Sequence, residues 1–438
     1  MEKTSALPLP LLLVLLVALT TSRCPVASAL SIDNSSRKTP SSNNSRSTSS
    51  RRDFLNGASV IAASAIIANP QPATAAPATR GRTICVTGAN GYIGLHCVAQ
   101  LLGAGYSVRA AVRSTSDDKT KYLTKVAADI GASDKLSFAS IDLFDVDSMI
   151  QAGKGCDSML HLASPFSLQP SSSTADAIHT IVEPAIAGAM NAVRAAESLG
   201  LQRLVTCGSI FGMVGSGTEK GFDHVYGSND VNGFSTPKGC AYAYSKMASQ
   251  QKSISLATER GVDLVTLNVG QVCGPALSPD QINPSWEPFR LLANPQPGGS
   301  VLSCTSPGFC DVRDVAAAHV AALGLPGAGQ PRRYAVAARK ESPTYVEIAE
   351  LMADILPERN LPKKVDALPA AVQHLIVKGI GLGDKSTAEL LEGATVPDGK
   401  TLMVDVDPML KDLLPRPREV KTTLSDWLEN QKSYGHVV

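Results

Sequence analysis

Residues 82–94 read Arg82-Thr-Ile-Cys-Val-Thr87-Gly88-Ala89-Asn90-Gly91-Tyr92-Ile93-Gly94. Arg82–Thr87 is a short β-branched run that reads as a buried strand. From Tyr92 the spacing turns helical, with Ile93, Cys97, Val98, Leu101 and Leu102 on one face. A helix that begins directly after a strand presents unpaired N–H groups and the positive end of its dipole, which suits a pyrophosphate. Gly88 can take the tight turn, Gly91 admits phosphates to the backbone, and Gly94 lets helix and strand pack closely. The spacing is G-x-x-G-x-x-G, and an ordinary glycine-rich turn would give the same string.

Ser107–Val112 reads as the next strand and ends at Arg113. An acidic residue there would bond a ribose 2′-hydroxyl, whereas an arginine suits a 2′-phosphate. Lys119 and Lys121 can add positive charge, so NADP(H) is the expected cofactor. A solvated surface arginine is the plainer alternative. Further strands are expected at 136–141, 158–162, 203–207 and 263–268, with a long helix over 175–199. Alternating β and α units imply a doubly wound parallel sheet, an α/β Rossmann fold with ligands at the carboxyl ends of its strands.

Tyr242-Ala-Tyr-Ser-Lys246 places a phenol and an ammonium at i and i+4 on one helical face. A lysine beside a phenol favours the phenolate and eases proton transfer to a carbonyl oxygen. Ser209, just past the fifth strand, stands where a second donor to that oxygen belongs. The Tyr-x-x-x-Lys spacing alone arises often by chance; its order after the glycine turn and Ser209 gives it weight. Tyr244 is read as packing, and His161 as structural.

After about Gly274 the pattern loosens into Pro- and Gly-rich loops. Helices are expected at 315–323, 343–356 and 422–431, and a strand at 333–338. The expected division is a dinucleotide-binding domain over 82–274 and a smaller substrate-binding lobe over 275–438. The chain is 44% hydrophobic and 18% charged, ordinary for a globular enzyme. Residues 1–81 carry eight basic and three acidic side chains, net +5, so the remainder of a +1 chain is net −4. That balance gives no reason to expect nucleic-acid binding. Nine cysteines show no zinc spacing, and no metal is expected. Cys304 and Cys310 could close a short loop disulfide.

The first eighty residues read as an address. Residues 1–29 have Lys3, an apolar run over Leu7–Leu19 and Ala27-Ser28-Ala29, the order of a signal peptide. Residues 30–81 begin rich in Ser, Asn and Arg, like a transit peptide. Ser50-Arg51-Arg52-Asp53-Phe54-Leu55, an apolar run and Ala73-Thr74-Ala75 then resemble a twin-arginine signal. The expected location is a plastid, with the thylakoid lumen as destination; simple secretion is the alternative. No membrane span is expected in the mature protein.

The chain resembles an extended short-chain dehydrogenase/reductase of the NAD-dependent epimerase/dehydratase superfamily. Within it, the sequence is similar to the dihydroflavonol reductase and cinnamoyl-CoA reductase group. VTGANGYIG, GYSVRAAVRS, IDLFD, HLASP, VEPAIAGAMNAVRAA, RLVTCGS, YAYSK, FCDVRDVAAAH and RRYAVAA carry the likeness over about 82–340. The resemblance implies a Ser209-Tyr242-Lys246 triad and a small carbonyl substrate. It implies NADPH contacts at Gly88, Gly91, Tyr92, Ile93, Gly94, Arg113, Lys119, Asp142, Leu143, Ala163, Val272, Tyr242 and Lys246. A homodimer is compatible with it. The family usually has Ser-Ser where this chain has Gly208-Ser209, and Pro after the sixth strand where it has Val269-Gly270. A nucleotide-sugar epimerase or dehydratase is the runner-up. A Rossmann scaffold or redox-sensing subunit without chemistry is a third reading.

A fluorescent protein fused after Ala78 tests the address. The native leader should carry it to an internal plastid compartment, and one with Arg51→Lys and Arg52→Lys should stall outside. Identical location of the two fusions would remove the twin-arginine step.

Overall fold

The computed structural model describes residues 81–436, apart from 165–173, 216–218, 282, 295–299, 302–303, 369–371, 374–394 and 398. The signal, transit and twin-arginine readings over 1–80 lie outside the described residues. Among those described, no helix is long and apolar enough to cross a membrane.

Seven parallel strands form the main sheet: β1 (Thr83–Thr87), β2 (Ser107–Val112), β3 (Leu136–Ser140), β4 (Ser158–His161), β5 (Arg203–Ser209), β6 (Leu264–Val269) and β7 (Arg332–Val336). Their spatial order is β3-β2-β1-β4-β5-β6-β7, and every neighbouring pair is parallel. The chain runs outward from β1 to β3, then returns to the other side of β1. A crevice opens at that reversal, between the carboxyl ends of β1 and β4.

Successive strand residues point to opposite faces. Val86, Leu160, Val205 and Val265 face one core, with Leu95, Val98 and Leu101 of α1 (Tyr92–Gly103), Leu123 of α2 (Asp117–Ile130) and neighbours. Cys85, Met159, Leu204 and Leu264 face the other, against Met149 of α3 (Val146–Gly153) and Ala192, Val193 and Ala196 of α4 (Glu183–Leu199). Both faces are covered, which is why the strands read as continuous apolar runs. The helix expected over 175–199 is interrupted by a π-type turn at Ile178–Val182. Pro184, two residues beyond that turn, has no N–H to continue the ladder. Further along the chain comes α5 (Ala241–Arg260), capped by Gly261 in the left-handed region at φ 63.

Residues beyond 274 serve two places. α6 (Val312–Ala322) and β7 join the sheet domain, while α7 (Tyr345–Ile355) and α8 (Val420–Ser433) surround a second core of Trp286, Phe289, Phe309, Ile348, Met352, Leu424 and Trp427. The lobe expected over 275–438 is thus interleaved with the sheet. Cys304 and Cys310, whose spacing allowed a loop disulfide, are both buried thiols with no disulfide between them. Cys304 Sγ lies 3.3 Å from Thr395 Oγ1, and Cys310 opens a short strand paired with Val272–Cys273.

A buried ionic cluster fastens α6 to α8. Asp311 accepts from Arg313 Nε at 2.9 Å, from Arg313 Nη2 at 2.6 Å and from Thr423 Oγ1 at 2.9 Å. Burial pushes the Asp311 carboxyl up, but the Arg313 hydrogen bonds and charge outweigh it and hold it below the usual range. Arg313 also meets Asp426 at 2.7 Å, and Arg418 meets Asp314. Removing one member of such a cluster strands a buried charge. Asp311→Ala should therefore cost ~3–5 kcal/mol in urea unfolding. Asp426→Ala, at a carboxylate 36% exposed, should cost about 1 kcal/mol or less. Equal costs for the two variants would contradict the assigned hierarchy.

Candidate active site

Gly88 follows β1 with φ +67, a left-handed conformation that favours glycine. A Cβ there would stand 2.9 Å from the Ala163 nitrogen, past the end of β4. A Cβ at Gly94 would overlap the Gly88 carbonyl oxygen, so helix and turn are in backbone contact. No side chain caps α1, whose N-cap is Gly91. The first-turn N–H groups of Tyr92, Ile93 and Gly94 therefore lack helical partners and remain for an anion. This cradle fits a dinucleotide pyrophosphate.

The two strand ends at the reversal are tied together. Thr87 Oγ1 accepts from Ala163 N at 3.3 Å and lies 3.0 Å from His161 Nδ1. Burial, helped by Lys246, lowers the His161 imidazole to about 4, so it is neutral at physiological pH. It serves the structure, as its sequence context implied. The Tyr92 ring is committed elsewhere. Its hydroxyl donates to Gly274 O at 2.8 Å, and its ring meets Trp286 edge-on at 5.0 Å. Val272 is buried in the main core beside that attachment.

At the other rim, Arg113 ends β2 and is exposed, with no ion-pair partner among the described residues. Lys119 is exposed as well, 3.2 Å from Asp118. Asn90 Nδ2 donates to Lys119 O at 3.3 Å and so joins the glycine turn to α2. Asp142 is exposed past β3 and accepts from Phe144 N at 2.9 Å. The Leu143 carbonyl accepts from Asn191 Nδ2 at 3.0 Å. Sequence reasoning did not single out Gln281 and Asp280. Gln281 donates to Gly91 O at 3.2 Å, and Asp280 pairs with Lys121 at 3.0 Å. Nothing in their local pattern marks them, since the contact spans 190 residues.

On the β4–β5 side the three reactive candidates converge. Lys246 Nζ donates to Ser164 Oγ at 2.8 Å and lies 5.2 Å from the Tyr242 ring centroid. The Tyr242 ring meets Phe211 edge-on at 6.3 Å, and Phe211 N donates to Ser209 Oγ at 3.3 Å. The path Ala163-Ser164, Lys246, Tyr242, Phe211, Ser209 is therefore continuous from cradle to Ser209. Tyr244 packs in a separate cluster with Ala177 and Ile181. The electrostatics differ from the expectation that lysine would draw the phenol toward neutrality. Burial raises the Tyr242 phenol above its ordinary range. Burial also lowers the Lys246 ammonium to about 8. At neutral pH the phenol keeps its proton and the lysine is mostly charged.

Comparison with known proteins follows this geometry. The model of the NAD dependent epimerase/dehydratase family matches residues 84–337. The chain belongs to that family. Cinnamoyl-CoA reductase 1 of Arabidopsis thaliana is 33% identical over 320 residues, 71% of this chain and 87% of that protein. Dihydroflavonol 4-reductase of Zea mays is 28% identical over 304 residues, 68% of this chain and 81% of the other. Among solved structures, the yeast methylglyoxal/isovaleraldehyde reductase complexed with NADPH superposes with a TM-score of 0.62 at 22% identity, covering 81% of this chain and 100% of its own. That likeness is one of fold. The sequence matches place this member of the epimerase/dehydratase family beside its plant reductases.

Proposed function

We propose that this family member is an NADPH-dependent oxidoreductase that reduces the carbonyl of a small organic substrate, with Ser209, Tyr242 and Lys246 as its reacting side chains. One observation carries the reading: the phenol, the ammonium and the serine lie on one path that begins at the glycine cradle. The Arabidopsis relative, by its name, reduces an acyl-CoA, and the yeast structure holds NADPH. Both support the class of reaction.

NADPH, when bound, would supply the hydride for the carbonyl carbon. Gly88, Gly91, Tyr92, Ile93 and Gly94 would hold its pyrophosphate through backbone N–H groups. Arg113 and Lys119 would meet the 2′-phosphate, and Asp142 and Leu143 the adenine. Ala163, Val272 and Lys246 would line the nicotinamide side. Tyr242 donates its proton to the carbonyl oxygen as negative charge develops there. The Ser209 oxygen accepts from Phe211 N–H, so its own O–H is left to clamp the same carbonyl. Lys246 stabilises the phenolate left behind, with more force in a dry crevice than in water. Dehydration of a nucleotide sugar would call for a carboxylate just after Ser209. Ile210 is buried there, and Phe211 packs on Tyr242.

Carbonyl-dependent NADPH oxidation by the full chain tests the reading, with isovaleraldehyde, methylglyoxal and cinnamoyl-CoA as probes. NADPH should bind more tightly than NADH, and Arg113→Asp should narrow or reverse the difference, because an acid repels the 2′-phosphate. Equal affinity of the unaltered protein for both would overturn the Arg113 assignment.

Tyr242→Phe should lower turnover ~10²-fold or more while NADPH affinity stays nearly constant. Because Lys246 loses its proton near pH 8 and Tyr242 does so only well above it, kcat/KM should fall as pH rises through about 8. Lys246→Arg, which stays charged, should move that limb to higher pH. A limb that stays in place would mean that another group titrates there.

A further inference from the structure

Tyr242, Lys246 and Gln250 recur at i, i+4 and i+8, so one face of α5 carries all three. Gln250 lies deeper than the other two, only 4% exposed. Its Nε2 donates to Oδ1 of Asn268, a β6 residue with 0% exposure. Asn268 stands directly across from Gly208 in the β5–β6 register, with Ser209 opposite Val269. These two amides, with the Thr266 methyl, crowd the backbone on either side of Ser209. A Cβ at Gly208 would stand 2.6 Å from Asn268 Oδ1 and 3.0 Å from Gln250 Nε2. A Cβ at Gly212 would stand 3.0 Å from both Gln250 Nε2 and Gln250 Oε1. The strand end that carries Ser209 therefore rests on the amide pair at two points, one before Ser209 and one after it.

The volume that a side chain at position 208 would take is occupied by Asn268, Thr266 and Gln250. A core position this dry favours apolar side chains. Yet Gln250 Oε1 and Asn268 Nδ2 are buried without a hydrogen-bond partner among the described residues. Retaining incompletely paired amides at such a place is unfavourable for stability. What the pair supplies is directionality: one hydrogen bond fixes the height of the helix bearing Tyr242 and Lys246 against the strand pair ending at Ser209. Below it, the Thr206 and Thr266 hydroxyls meet at 3.0 Å and continue the polar seam between β5 and β6.

We propose that Gln250 and Asn268 are positioning residues that set Ser209 in register with Tyr242 and Lys246. The proposal rests on the reading of Ser209 as the carbonyl clamp. Neither amide is placed in contact with the substrate, so both would act through Ser209.

The test replaces both amides with apolar groups of similar shape, Gln250→Met with Asn268→Leu, in the full chain. Replacing both partners of a buried hydrogen bond together leaves stability nearly unchanged in general. A purely structural pair would then leave turnover intact. The expected result is a Tm close to the parent's, an unchanged Kd for NADPH, and a kcat about tenfold lower or more on the fastest of the three probes. Displacements of about 1 Å in a reacting constellation carry losses of that size. The same double change in a Ser209→Ala background should cost less than about twofold, because the group it positions is gone. A kcat within about twofold of the parent, or an undiminished loss in the Ser209→Ala background, would overturn the proposal. Full turnover by Ser209→Ala alone would remove the clamp reading itself, and this proposal with it. Should the double variant fail to fold, Gln250→Met alone, with and without Ser209→Ala, reads the same coupling.

Discussion

Between the glycine turn and its two neighbours there is no room for a side chain. The Gly88 carbonyl occupies the place of a Cβ on residue 94, and the Ala163 nitrogen lies 2.9 Å from the place of a Cβ on residue 88. These approaches fix α1 against β1 and β1 against the end of β4. Only the doubly wound strand order puts those two ends side by side. Every later feature of the site is referred to this contact. Ser164 follows Ala163 and holds Lys246, Lys246 lies against Tyr242, and Tyr242 packs on the turn beyond Ser209. Loosening the first contact would shift the glycine cradle and Tyr242 relative to each other.

Burial, more than pairwise charge, sets the electrostatics of that crevice. Desolvation raises the Tyr242 phenol, lowers Lys246 to about 8 and lowers His161 to about 4. The outcome is a neutral imidazole, a protonated phenol and a lysine near its titration point. Such a set suits the proposed reduction, in which the Tyr242 phenol begins with its proton. A charged His161 would repel the ammonium beside it, and its hydrogen-bonding to Thr87 in the neutral form avoids that conflict.

Most strands were legible because they are short, apolar runs buried on both faces, so local pattern and tertiary environment agree; β3, at the sheet edge, is the exposed exception. Ser107–Val112 matches its expected bounds, and the other strands shift by a residue or two at their ends. The glycine turn and Tyr242–Lys246 were legible because their chemistry needs fixed spacing within one turn or one helix. What joins them was not. Ser164 meets Lys246 across 82 positions and Gln281 meets Gly91 across 190, so no local window contains either pair. The strand expected at 333–338 is present as β7, but its place in the sheet was not legible for a related reason. A run such as RRYAV shows strand propensity but not which sheet edge it will join. The lysine's effect on Tyr242 was misjudged because exposure, unlike spacing, is invisible in sequence.

The joint between the sheet domain and the second core has its own consequence. Tyr92 and His96 of α1 bond the carbonyls of Gly274 and Pro275 at 2.8 and 2.9 Å. Gln100, one further turn along, donates to Arg313 O at 2.8 Å. The Ala276 backbone is held on both sides by Asn430 of α8, at 2.8 and 3.0 Å. One face of the cofactor-side helix thus carries the attachment of the second core. Rotation about residue 274 would break these hydrogen bonds together with the Asp311–Arg313 pair, whose members are both buried. This makes the segment a poor hinge. It also makes α1 a shared support: its first turn leaves N–H groups for a pyrophosphate, while its flank holds the second core. The glycine cradle and the second core are thereby located by one rigid element.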